Sequence, residues 1–184
     1  MVRILARLIA VLGISFGQAA AMNGETEKKF HHAVHIGDIN TVRSMISVDP
    51  TLATSTDEYK FQPIHLLDVY FELEILDLLL ANGADVNARN DQGVTLLHII
   101  TDPDAIALLV AKGADLEARD KRGWTPLIEQ ATNQQNGSDV VAALLANGAN
   151  PNAKGNNGEI ALSLARKRGD AELMEILTKA GAKD

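Results

Sequence analysis

Cysteine is absent from this 184-residue sequence, which excludes disulfides, thiolate metal sites, cysteine nucleophiles and lipid attachment through a thiol. Positive charge is in the minority, 17 Lys+Arg against 24 Asp+Glu for a net charge of -7. An acidic surface does not hold phosphate backbones non-specifically, so nucleic acid is not an expected partner. Long apolar runs are also missing, since none reaches the about 20 residues that a membrane-spanning helix requires. No phosphate-cradling glycine loop, no H-E-x-x-H and no G-x-G-x-x-G after a strand occurs, and no cofactor is expected. What remains is ordinary: 46% hydrophobic and 22% charged residues, a composition able to bury a core. The length suits one domain of roughly 100–200 residues.

Residues Met1 to Ala21 stand apart. Arg3 and Arg7 come first, then the apolar stretch Leu8 to Phe16, then small residues at Gly17, Ala19, Ala20 and Ala21. A basic start, a short apolar middle and an A-x-A end describe a cleavable secretory signal peptide. The expected cut precedes Met22, with Gly17 and Ala19 offering a second site. The expected domains are therefore a leader, 1–21, and a mature chain, 22–184, with no stable membrane anchor.

The mature chain repeats itself. Gly83-Ala84-Asp85-Val86-Asn87-Ala88 returns as Gly113-Ala114-Asp115-Leu116-Glu117-Ala118 and as Gly148-Ala149-Asn150-Pro151-Asn152-Ala153, and Gly181-Ala182 ends the series. The glycines are spaced by 30, 35 and 33 residues. A second signature keeps the same step: Gln62-Pro63-Ile64-His65, Thr95-Leu96-Leu97-His98, Thr125-Pro126-Leu127-Ile128 and Ile160-Ala161-Leu162-Ser163. Two motifs sharing one period indicate a solenoid. Pro63 and Pro126 suit a first helical turn. Leu76, Leu79 and Leu80, like Val141, Leu144 and Leu145, form apolar stripes at helical spacing. Gly83, Gly113 and Gly148 follow those stripes, where a left-handed residue ends a helix. In the third unit, Thr101 to Asp104 replaces part of the first helix, and Pro103 is expected to open the second.

The pattern resembles the ankyrin repeat, whose unit is a β-turn finger followed by two antiparallel helices. The resemblance implies an all-α repeat solenoid of about five units, near 25–57, 58–90, 91–120, 121–155 and 156–184. It also implies that His65 and His98, with His31 aligned to them, are structural residues binding backbone groups at the finger base. His32 and His35 fall on exposed positions of the first helix. Spaced three apart, with Glu27 or Asp38 nearby, they form the one metal arrangement worth weighing, but a stable site needs three or four ligands. The favoured reading assigns no metal and no catalytic residue.

The remaining function is that of a surface. Phe61, Val94, Trp124 and Glu159 take the same finger position in successive units, with Tyr59, Lys60, Arg89, Lys121 and Arg122 around them. Aromatic and Arg side chains anchor protein interfaces, so Tyr59, Phe61, Arg89, Lys121, Arg122 and Trp124 are the candidate protein-binding residues. Packing of Phe61 and Trp124 onto neighbouring fingers is the competing reading. Family resemblance implies a non-enzymatic protein–protein interaction module, and the leader places it in the bacterial periplasm. The expected partner is an exported protein, basic enough to complement the acidic chain. An immunity protein against a periplasm-acting toxin fits these expectations. So does a companion of a periplasmic enzyme such as a catalase in oxidative-stress defence. A metal-dependent enzyme and a secreted effector are less favoured.

Overall fold

The structure, a computed structural model, describes residues 16–133 and 137–183. Most of the expected leader lies outside the described residues. Helix α1, Phe16–His35, runs through the expected cut before Met22. Helix α2, Ile39–Val48, follows, and then two 3-10 turns, Pro50–Thr54 and Pro63–Leu67. Beyond them come α3 (Leu73–Ala81), α4 (Leu96–Ile99), α5 (Pro103–Ala111), α6 (Pro126–Gln130), α7 (Gly137–Ala146), α8 (Ala161–Arg168) and α9 (Ala171–Lys179). No strand occurs among the described residues. Helix pairs stack tier on tier: α5 packs on α7 and α7 on α9, while α4 packs on α6 and α6 on α8. The expected all-α solenoid is the observed architecture.

Local chemistry sets the ends of these elements. Pro63, Pro103 and Pro126 stand in the first turn of their helices, where a missing N–H costs nothing. Asp38 accepts from Thr41 N at 3.1 Å and Asp170 from Leu173 N at 3.1 Å, capping α2 and α9. Gly83, Gly113 and Gly148 take φ of 93°, 92° and 99°. The turn they make lets the next N–H, on Ala84, Ala114 and Ala149, reach back to Leu79, Leu109 and Leu144.

Each second helix sends one stripe inward. Ile75, Leu76 and Leu79, then Ile106 and Leu109, Val140, Val141 and Leu144, and finally Leu173 and Leu177 are all fully buried. Leu80 and Leu145 of the expected stripes are half-buried and pack against this core. No tier closes a core alone; its apolar face is covered by its neighbours.

The first helices of the three middle tiers are unusually short. Their last carbonyls lack intrahelical partners, and such groups must be satisfied elsewhere. The following tier supplies the donor each time. Thr101 donates its N–H and hydroxyl to Asp68 O, at 3.1 and 2.7 Å. Gln130, 1% exposed, donates Nε2–H to His98 O and Ile100 O, both at 2.9 Å. Arg168 donates to Ala131 O at 2.6 Å and Asn133 O at 3.3 Å.

Candidate protein-binding surface

Between tiers the chain turns outward in four fingers. Each tip closes with a backbone hydrogen bond across four residues: Lys60 N to Asp57 O, Gly93 N to Asn90 O, Gly123 N to Asp120 O, and Gly158 N to Gly155 O. In the first three the opening side chain also accepts. Asp57 Oδ1 takes Tyr59 N and Phe61 N, Asn90 Oδ1 takes Gln92 N and Val94 N, and Asp120 Oδ1 takes Arg122 N and Trp124 N. Such side-chain acceptors fix a turn that would otherwise fray. Neighbouring fingers are joined by one main-chain bond each: Asp91 N to Tyr59 O, Lys121 N to Gln92 O, and Asn156 N to Arg122 O.

Histidines lock the fingers to the helices. His65 Nδ1 accepts from Gln62 N, while Nε2–H donates to Ala88 O at 3.1 Å and Val94 O at 3.2 Å. His98 Nδ1 accepts from Thr95 N, and Nε2–H donates to Trp124 O at 3.1 Å. Each therefore holds the residue at the root of the next finger. Burial is the main force keeping both imidazoles below their ordinary pKa, and the accepting carbonyls pull the other way. His31 differs in its partner, bonding the Ser55 hydroxyl at 2.9 Å.

A family model for ankyrin repeats, three copies, matches residues 65–155, the span that carries these fingers and histidines. The chain belongs to the ankyrin-repeat family. It is 37% identical over 65 residues to Ankyrin repeat domain-containing protein 35 of Homo sapiens, covering 35% of this chain and 6% of that protein. It is 32% identical over 90 residues to the E3 ubiquitin-protein ligase XBAT32 of Arabidopsis thaliana, covering 48% of this chain and 17% of that one. The chain thus spans a small fraction of either relative.

In this ankyrin-repeat chain the six candidate contact residues occupy different settings. Tyr59 is exposed at the second unit's finger tip. Phe61 is half-buried, its ring edge-on to His65 with centroids 5.4 Å apart. Arg89 spends its guanidinium on Gly93 O and Arg119 O, and Arg119 repeats the device on Gly123 O and Lys154 O. Lys121 is exposed. Arg122 lies over the Trp124 ring, 4.0 Å from its centroid, and pairs with Asp120 and Glu129. Trp124 is half-buried, wedged between the third and fourth fingers. The fold thus gathers Lys121, Arg122 and Trp124 on one finger and Tyr59 and Phe61 on another, with Val94 at the same position of the finger between them.

His32 and His35 are both exposed on α1. No group of three or more side chains able to hold a metal is present among the described residues. A shallow cavity of about 130 Å³ lies near Thr26, Glu27, Asp49 and Ser55, smaller than the roughly 300–1,000 Å³ of small-molecule sites.

Sequence reasoning passed over Asp57, Asn90 and Asp120 as turn acceptors, although their fixed three-residue offset from Lys60, Gly93 and Gly123 was a signal. It also passed over Gln130, for which a lone glutamine gave none.

Proposed function

We propose that this chain is an exported, non-enzymatic binding module that occludes or scaffolds a partner protein in the bacterial periplasm. The observation that carries this reading is the row of fingers, hydrogen-bonded in register and presenting Tyr59, Lys121 and Arg122 outward. A surface held this rigidly loses little entropy on binding. Export rests on the Arg3-Arg7 start, the apolar run and the Ala19-x-Ala21 end. No helix among the described residues is long and apolar enough to cross a membrane. Within this setting, neutralising a toxin that acts in the periplasm is the role we favour, because it requires only a tight interface.

The test is capture. Immobilised residues 22–184, incubated with periplasmic extract, should retain one dominant protein, and Tyr59→Ala with Lys121→Ala should lose it. Recovery of a cell-wall or lipid hydrolase supports the immunity role. Recovery of a catalase replaces that role with enzyme support, and retention of nothing by the wild type overturns the binding module itself.

A further inference from the structure

Charge is divided unequally along the solenoid. Residues 24–118 carry sixteen Asp+Glu and six Lys+Arg, whereas residues 119–183 carry seven and nine. The change of sign falls at the third finger. Lys121, Arg122 and Lys154 are exposed there, with Arg119 beside them. The geometry keeps the four together: Arg119 donates to Lys154 O at 2.6 Å, and Asn156 binds both Lys121 O at 3.0 Å and Arg122 O at 2.9 Å.

Nearby carboxylates are already committed. Asp120 is buried under Arg122 and accepts from three groups of its own finger. Glu117 accepts from Asn150 N, and Glu159 accepts from Asn157. Lys121 and Lys154 make no ion pair among the described residues. Two exposed lysines that make no ion pair among the described residues therefore belong to the two fingers that enclose Trp124.

Resting on the binding-module reading, we infer that this edge receives an acidic segment of the partner protein. The first three units, strongly acidic, face its basic portion, so the partner lies along the solenoid in one direction only. Complementary charge of this kind sets orientation and speeds encounter. A nucleic acid fits less well. Its phosphates continue at fixed spacing onto units that repel them, and Arg122 covers the Trp124 face that a base would stack on.

The experiment uses the full chain and a fluorescein-labelled oligoglutamate, followed by anisotropy at about 50 mM salt, where screening is weak. Wild type should bind, and Lys121→Glu with Lys154→Glu should weaken binding about tenfold. Lys28→Glu with Lys29→Glu, the same change in net charge on the first unit, should leave the affinity within about twofold. Failure of wild type to bind, or equal loss in both pairs, overturns the inference. Tighter binding of an oligothymidylate with the same sensitivity replaces it with a nucleic-acid site. If Lys121→Glu with Lys154→Glu still retains the captured periplasmic protein, this inference fails while the binding module stands.

Discussion

A side chain at Gly155 would collide with Trp124: a Cβ there would lie 2.8 Å from Trp124 Cδ1 and 2.6 Å from Glu159 Oε2. The first three fingers open with Asp57, Asn90 and Asp120, whereas the last opens with Gly155 and lets the indole occupy the space. Its turn acceptor comes instead from Glu159, which takes Asn157 N at 3.1 Å. Glu159 sits below its ordinary pKa, chiefly through its own backbone N–H and then through Asn157. Gly155→Asp restores the usual acceptor but expels the ring. We expect a loss of about 1–3 kcal/mol from overpacking. Trp124 is the sole tryptophan, so a red-shifted emission reports its displacement directly, and unchanged emission would refute the wedge.

Lys60 has φ of 60°, in the left-handed region, at the tip position where the other fingers use Gly93, Gly123 and Gly158. A side chain there strains the backbone. Lys60→Gly should raise stability by about 0.5–1 kcal/mol, after allowing for the freer unfolded glycine. Gly93→Ala runs the other way. Its φ is 80° and a Cβ would lie 3.2 Å from Asp120 Cα, so urea midpoints of the two variants should move in opposite directions.

Asn87 clamps two units, donating to Gly113 O and accepting from Asp115 N. Asn152 does the same with Gly181 O and Lys183 N. Between them in the series, Glu117 accepts from Asn150 N but has no proton to donate. Glu117→Asn supplies that donor toward Gly148 and should add about 0.5–1 kcal/mol, read as a higher urea midpoint. A lower midpoint would show that the carboxylate is the better clamp.

Acidification should destabilise the chain before its carboxylates titrate. His65 and His98, held by burial below the ordinary value of 6.5, resist protonation when folded and accept it when unfolded. Their contribution is complete above pH of about 6.5 and is lost as pH falls from there toward the folded values. Melting temperature should drop between about pH 7.5 and pH 5.5. His65→Gln with His98→Gln should melt lower at neutral pH yet show a flatter profile, and an equally steep profile would assign the effect elsewhere.

Period and punctuation were plain in the residues. Gly83, Gly113 and Gly148 occur where the chain must turn left-handed, and the Pro103 position of the α5 start follows from proline's geometry. Backbone partners for His65 and His98 were implied by the resemblance to the ankyrin repeat, and the carbonyls of Ala88, Val94 and Trp124 are those partners. The contact surface was less so. Trp124 and Phe61 read alike as aromatic finger residues, yet one is wedged by a glycine thirty-one positions on and the other leans on a histidine. Arg89 and Lys121 read alike as finger cations, and only one has its charge engaged by carbonyls. Such differences depend on what the neighbouring finger brings, which no pattern within a single repeat contains.

The carbonyls capped by Thr101, Gln130 and Arg168 give the array a grammar. Repeats are commonly pictured as interchangeable bricks, but here each middle brick is finished only by the one that follows it. An exchange of units three and four would set the wrong side chain against the carbonyls at all three junctions, and a deletion after unit three would leave His98 O and Ile100 O facing water. The order of the tiers is therefore written into these donors, whereas exposed finger-tip side chains such as Tyr59 and Lys121 can be exchanged without touching it.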